Sequence, residues 1–195
     1  MKTTSGKKLN TVRINAGEWR SRLIKFPDAT GLRPTPERVR QTVFNWLGQD
    51  LTGLKCLDLF AGTGVMGFEA LSRGAAAVTM VEKSTPAYKA LMENKQLLKA
   101  EHALILHQDA LQFLSQNTQT FNVIFLDPPY HQQWLAKVLP LLRPHLHIEG
   151  LIYVEAEYEL DSTLEFTGDW QVIKQSKAGN VFYHLLKSSH DNLSK

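Results

Sequence analysis

The chain has a single cysteine, Cys56, in 195 residues. Disulfides within the chain and cysteine-based metal sites are thereby excluded. The position of Cys56 inside an apolar strand pattern predicts a buried, inert thiol. No run of eighteen apolar residues occurs, so no segment reads as a membrane-spanning helix. The amino terminus, Met1-Lys2-Thr3-Thr4-Ser5-Gly6-Lys7-Lys8, lacks the apolar region of a secretory signal, which predicts a cytoplasmic protein. The seven histidines show no metal-ligand spacing on a common element, so His102, His107, His131 and His184 read as ordinary and no metal is expected.

With 43% hydrophobic side chains, a chain of this length can bury one substantial core, which favours one α/β domain with at most a small appendage. Its net charge of +3 is unevenly spread: residues 1 to 50 hold ten Lys or Arg against four acids, a net of +6, and the remainder carries −3. A polyanion met by the front of the molecule would account for this, and so would an ordinary solvated basic tail.

The stretch around which the rest is organised is Leu57 to Ala75, LDLFAGTGVMGFEALSRGA. It reads as a buried strand beginning at Cys56, a glycine turn and a helix in succession. Gly62 and Gly64 permit a sharp turn where a side chain would collide with a ligand. Gly62, Gly64 and Gly67 also satisfy the glycine spacing of a dinucleotide fold, a weak signal alone. Asp58 discriminates, because its carboxylate would repel a pyrophosphate and attract the ammonium and sulfonium of S-adenosylmethionine. Its other reading is a cap of the turn through backbone hydrogen bonds.

Before this motif, Val12 to Phe26 reads as a β-hairpin turning at Asn15 to Glu18, with residues 1 to 10 disordered. Arg13, Arg20 and Arg22 with Trp19 nearby would supply phosphate-pairing guanidiniums and a stacking surface for RNA; a surface hairpin without ligand is the alternative. Arg33 and Arg38 lie in or beside the linker that follows. There Thr35 reads as an N-cap, Pro36 as the first helical position and Glu37 as a dipole complement of a helix reaching about Leu47. The amino end of that helix, with Thr35, would suit the donor's carboxylate.

After the motif, Ala76 to Val81 is a second strand ending in Glu82, whose two oxygens suit the vicinal hydroxyls of a ribose. Ser84 starts a helix to about Lys99, and Ala103 to Leu106 is a third strand. Asp109, before Ala110, would accept an adenine amino group or cap the helix around Leu111 to Leu114. The fourth strand, Phe121 to Leu126, ends in Asp127-Pro128-Pro129-Tyr130, the strongest chemical signal in the chain. Two prolines fix the backbone so that the Asp127 carboxylate and the Pro128 carbonyl face outward as acceptors, and Tyr130 offers a flat face. Two acceptors on an exocyclic amino group favour the tetrahedral nitrogen that must attack a methyl group. A helix over Gln132 to Arg143, a fifth strand opened by Gly150 and a hairpin of Trp170–Ser176 with Val181–Leu186 complete the pattern. Lys177, in the hairpin turn, would touch nucleic acid or remain a solvated lysine. The domain reading is a basic tail and hairpin over 1–30, a methyltransferase domain over 31–187 and a frayed tail over 188–195.

Together these residues resemble the bacterial 16S ribosomal RNA guanine-N2 methyltransferases that modify guanine 966 of the small subunit. The resemblance covers nearly the whole chain. It rests on Arg13-Ile14 through Trp19-Arg20, on Arg33 to Arg40, on Leu57 to Ala75 and on Asp127 to Tyr130. It departs at Asn15-Ala16-Gly17, where a second glycine is expected. The resemblance implies a Rossmann-like, seven-stranded, mostly parallel sheet with helices on both faces and a reversed last strand, plus the amino-terminal hairpin gripping RNA. It implies donor binding by the loops after Asp58 (Phe60, Ala61, Gly62, Gly64), after Glu82 (Lys83) and at Asp109-Ala110. It also implies amino-group chemistry at Asp127, Pro128, Pro129 and Tyr130, on an assembling or assembled small subunit, by a monomer. Three rivals stay open: a DNA or other RNA amino-group methyltransferase of the adenine N6 type, an NAD-dependent oxidoreductase, and a non-catalytic RNA-binding module. The first lacks a domain for reading duplex sequence here, the second is disfavoured by Asp58 and the Asp127 tetrapeptide, and the third leaves the donor site unexplained.

Overall fold

A computed structural model of the chain describes residues 9–29, 32–160 and 169–189. The amino-terminal tail of residues 1–8, the 30/31 domain boundary and the carboxyl-terminal residues from 190 onward lie outside these. Two sheets form. One is the hairpin of β1 (Leu9–Arg13) and β2 (Leu23–Pro27), antiparallel with Val12 opposite Ile24. The other has seven strands: β3 (Lys55–Asp58), β4 (Ala77–Glu82), β5 (Ala103–His107), β6 (Phe121–Leu126), β7 (Leu146–Ala156), β8 (Trp170–Ala178) and β9 (Val181–Ser188), in the order β5-β4-β3-β6-β7-β9-β8. Strands β3 to β7 pair parallel, and the last strand β9 runs antiparallel to both of its neighbours.

The central strands read as unbroken apolar runs because both of their faces are covered. Along β6, Val123 and Phe125 enter a core shared with Val39, Val43 and Phe44 of α1 (Glu37–Leu47), Phe68 of α2 (Val65–Ser72) and Leu91 of α3 (Thr85–Leu98). The alternate residues Ile124 and Leu126 enter a second core with Phe113 of α4 (Ala110–Gln116) and with Leu135 and Val138 of α5 (Trp134–Val138). Helices thus pack on both faces. Burial pushes the Cys56 thiol up to about 12, followed in effect by the charge of Asp58, and this keeps it protonated.

Several boundaries differ from the sequence reading. β1 begins at Leu9, so residues 9 and 10 are strand, and the connection to β2 spans residues 14–22 rather than a tight turn. The helix expected over Gln132 to Arg143 is only α5, followed by 3-10 turns at Leu139–Leu141 and Arg143–His145. Pro140 and Pro144 each lack the amide that a continuous helix requires. β7 starts at Leu146, with a register shift before Leu151, so Gly150 lies within the strand and does not open it. Ser188, read as tail, is fully buried in β9.

Candidate active site

Strand β3 pairs with β4 on one side and with β6 on the other, so the chain reverses its direction of winding between β3 and β6. At such a point the loops beyond the carboxyl ends diverge and leave a crevice for a ligand. Because β3 and β6 are parallel neighbours, with Asp58 level with Phe125, the glycine turn and the Asp127 tetrapeptide open on the same edge. The Leu59 amide donates to the Phe125 carbonyl at 3.2 Å and locks this pairing.

Gly64 holds φ +77° and ends the turn as the N-cap of α2. A Cβ there would lie 2.3 Å from Leu91 Cδ2, so both backbone and packing demand glycine. Asp58 is buried, and its Oδ2 accepts from the Gly67 amide at 3.2 Å, so the capping role is present. Burial pushes its carboxyl up to about 7, opposed by the Gly67 amide and assisted by the charge of Glu82. The Glu82 carboxylate accepts from Gly62 N at 2.7 Å and Ser84 N at 2.6 Å, which ties the first two loops together. Asp109 is the N-cap of α4, accepting from Leu111 N at 3.0 Å, and its Oδ2 pairs with exposed Lys83 at 3.0 Å. Although burial opposes it, the Lys83 bond and the helix amides hold Asp109 below its ordinary value. Phe60 is half-buried, while Ala61 and Ala110 are buried at the starts of their loops. The crevice is thus lined by acceptors, an arrangement that suits a cationic ligand carrying a ribose and repels a pyrophosphate.

Thr35 departs from its expected role. Pro36 is the N-cap of α1, its carbonyl accepting from Arg40 N at 3.0 Å, and no side chain caps the helix. The Thr35 hydroxyl instead lies near enough to Glu155, at the tip of β7, to favour its carboxylate form. An acid thus neighbours the group that was to meet the donor's carboxylate.

The register Leu126 to Val154 sets Asp127 beside Glu155 on neighbouring strands. Burial first, then Glu155, then Asp58, push the Asp127 carboxyl well above its ordinary range. Tyr153 Oη donates to Glu155 Oε1 at 2.7 Å. Beyond these carboxyls opens a cleft of about 360 Å³ lined by Pro128, Pro129, Tyr130, Trp134, Glu155 and Tyr158, among others. Tyr130 is 39% exposed, and burial and then Asp127 push its phenol upward, so it faces the cleft as a neutral ring. Trp134 meets Phe60 edge-on with ring centres 5.2 Å apart, bridging the glycine turn and the cleft. Glu155, Trp134 and Tyr158 were missed as site residues; only the strand register and the folding of the loop after β7 bring them to Asp127.

The hairpin is seated on the domain by Glu69 of α2. This fully buried carboxylate accepts from Asn15 N, Ala16 N, Arg40 Nη1 and Arg73 Nε and Nη2, at 2.8 to 3.2 Å. Trp19, expected as a stacking surface, is only 8% exposed and packs in the core, its amide bonded to Ser72 Oγ. It therefore offers no ring to RNA. Arg13, Arg20, Arg33 and Arg38 are exposed; Arg22 is too, with Nη2 donating to the Leu97 carbonyl at 2.8 Å. Lys177 is also exposed, its ammonium 4.4 Å from the centre of the Phe182 ring.

The strand order, the reversed last strand and an acid-lined glycine crevice at the switch point define a class I methyltransferase, the class whose methyl donor is S-adenosyl-L-methionine. The chain matches the family described as conserved hypothetical protein 95 over residues 12–187. It is 42% identical over 183 residues to ribosomal RNA small subunit methyltransferase D of Haemophilus influenzae, covering 91% of this chain and 94% of that one. To the protein of the same name from Escherichia coli K12 it is 40% identical over 176 residues, covering 89% and 88%. The solved structure of yhhF from Escherichia coli superposes with a TM-score of 0.82 at 37% identity, covering 92% of this chain and 98% of that one. The chain belongs to this family, that of the bacterial ribosomal RNA small subunit methyltransferases D.

Proposed function

We propose that this protein methylates the exocyclic N2 amino group of guanine 966 in 16S rRNA, using S-adenosyl-L-methionine, on the assembling or assembled small subunit. The observation that carries this reading is the shared edge of β3 and β6: an acid-lined glycine crevice beside an aromatic cleft headed by Asp127-Pro128-Pro129-Tyr130. The names of the relatives support ribosomal RNA of the small subunit as the substrate. The guanine and its number come from the motif resemblance.

Asp58 and Glu82 would hold the donor's cationic and ribose portions, with Gly62 and Gly64 keeping the turn low and Asp109-Ala110 at the adenine. When bound, S-adenosyl-L-methionine supplies a methyl carbon whose bond to the sulfonium breaks as the amino nitrogen attacks. The protein's own part is orientation. Tyr130 stacks on the base turned out of its loop, while Asp127 and the Pro128 carbonyl accept from the two amino hydrogens and turn the nitrogen lone pair toward the donor. Asp127 orients more than it deprotonates, because the nitrogen becomes strongly acidic only after methylation, and its proton then passes to solvent water. The exposed Arg13, Arg20, Arg22, Arg33 and Arg38 contribute phosphate contacts along the front of the molecule. The protein acts as a cytoplasmic monomer.

Mapping methylated bases in rRNA from cells with and without the gene tests the target: loss of N2-methylguanine at 966 alone is expected, and an unchanged position overturns it. In vitro, Asp127→Ala should abolish transfer and leave donor affinity within about twofold; normal turnover in that variant would remove Asp127 from the mechanism.

A further inference from the structure

Glu155 is a buried carboxyl of the cleft that the reaction above does not use; Glu157, which also lines the cleft, is paired with His131. Glu155 is 3% exposed yet lines the cleft with Pro128, Tyr130 and Trp134. The parallel register puts it across from Asp127, on strands spaced about 4.8 Å apart. Among the described residues no lysine or arginine forms an ion pair with it. A hydroxyl holds it instead, that of Tyr153 on the same face two residues earlier, and the hydroxyl of Thr35, brought by the linker before α1, lies nearby. Burial pushes its carboxyl above its ordinary value, against the pull of these two neighbours; the acceptor role rests on its placement, not on its charge. A hydroxyl that donates to a carboxylate leaves that carboxylate's remaining lone pairs as acceptors. Glu155 is therefore a fixed acceptor without a cation, aimed into a binding cleft, and a buried carboxylate so placed is completed by a donor from a ligand.

We propose that Glu155 selects the target base, accepting the ring N1–H of guanine while Asp127 and Pro128 hold the adjacent N2 amino group. This rests on the reading of the cleft as a guanine-N2 site. Guanine presents N1–H beside the two N2 hydrogens, three donors for the three acceptors Glu155, Asp127 and the Pro128 carbonyl. Adenine presents its amino group beside a ring lone pair, which would face the Glu155 carboxylate with no hydrogen between them. A site built around a donor rejects the analogue that lacks it far more strongly than a difference in shape could, because the buried acceptor is left unpaired.

The test uses small subunits reconstituted with 16S rRNA carrying either guanosine or 2,6-diaminopurine riboside at the target. The analogue keeps the N2 amino group and replaces N1–H by a lone pair. Single-turnover methyl transfer should favour guanine by at least about 100-fold in the wild type. Glu155→Gln, whose amide can donate, should lower transfer to guanine and raise transfer to diaminopurine, so the preference falls at least tenfold. Tyr153→Phe, which keeps the ring in the core and removes one hydroxyl from Glu155, should narrow the preference with little effect on folding, and it carries the test if Glu155→Gln does not fold. Equal transfer to both bases by the wild type overturns the proposal. So does an equal loss on both bases in the variants, which is what a merely structural role gives. No transfer to guanine by the wild type overturns the guanine-N2 reading itself, a separate result.

Discussion

Lowering the pH should weaken binding of S-adenosyl-L-methionine through Asp58. In the free protein burial pushes this carboxyl up to about 7, with Glu82 adding to the effect against the Gly67 amide. Asp127 and the Cys56 thiol also lie close enough to feel its charge. A sulfonium and an ammonium beside Asp58 favour its charged form. If the bound donor returns it to its ordinary 3.8, linkage makes affinity at pH 5 about 100-fold lower than at pH 8, or about 2.7 kcal/mol. Near pH 6 binding should release about 0.9 proton. Calorimetry from pH 5 to 8 in two buffers of different ionisation enthalpy reads both quantities, and Asp58→Asn should abolish both. The same group destabilises the free fold as pH rises. Below about 4 it is protonated whether folded or unfolded, and between about 4 and 7 only the folded chain keeps the proton. Stability therefore falls through that window, by about 4 kcal/mol at full extent. A donor affinity flat from pH 5 to 8, with no buffer-dependent heat, would refute the reasoning.

Other perturbations act on the hairpin. Glu69→Gln leaves Arg40 and Arg73 buried without a counter-charge, which should cost about 3–5 kcal/mol and lower the melting temperature by roughly 10 °C; a fall of under about 3 °C would contradict the role given to Glu69. Gly17→Ala sets a Cβ 1.7 Å from the Ser72 carbonyl oxygen at φ +82°, so urea unfolding should show a loss of at least about 2 kcal/mol. Trp19→Ala should cost about 3–5 kcal/mol and leave the salt dependence of RNA binding unchanged. Arg20→Ala should leave stability within about 0.5 kcal/mol and reduce the slope of log K against log salt by about 1. If Trp19→Ala changed RNA affinity without changing stability, its assignment to the core would be wrong.

What was legible in the sequence is what local chemistry decides. Gly64 can be read because only glycine takes its backbone angles cheaply, and the strand before it because both of its faces are apolar. Asp127-Pro128-Pro129-Tyr130 carries its own rigidity wherever it lies. What escaped depends on partners distant in the chain. Thr35 has the chemistry of a helix cap, but the helix starts one residue later with Pro36 as its N-cap, and Thr35 lies buried near Glu155 of another strand. Trp19 looks like an exposed ring among arginines until Gly17 lets the loop lie against Ser72 and turns the indole inward. The stretch Gln132 to Arg143 suits a helix, but Pro140 inside it and Pro144 just beyond it turn its second half into 3-10 turns.

The seating of the hairpin on Glu69 has a consequence for protein engineering. Since one side chain of α2 satisfies two amides of the hairpin's loop together with the arginines of α1 and α2, the amino-terminal hairpin is not a portable module. Cutting it away would remove the Asn15 and Ala16 amides from Glu69 and bare the core surface that Ile14, Trp19 and Ile24 cover, and transplanting it would leave its loop amides unanswered. Changes to this part of the scaffold are better made at its exposed side chains in place than by swapping the hairpin.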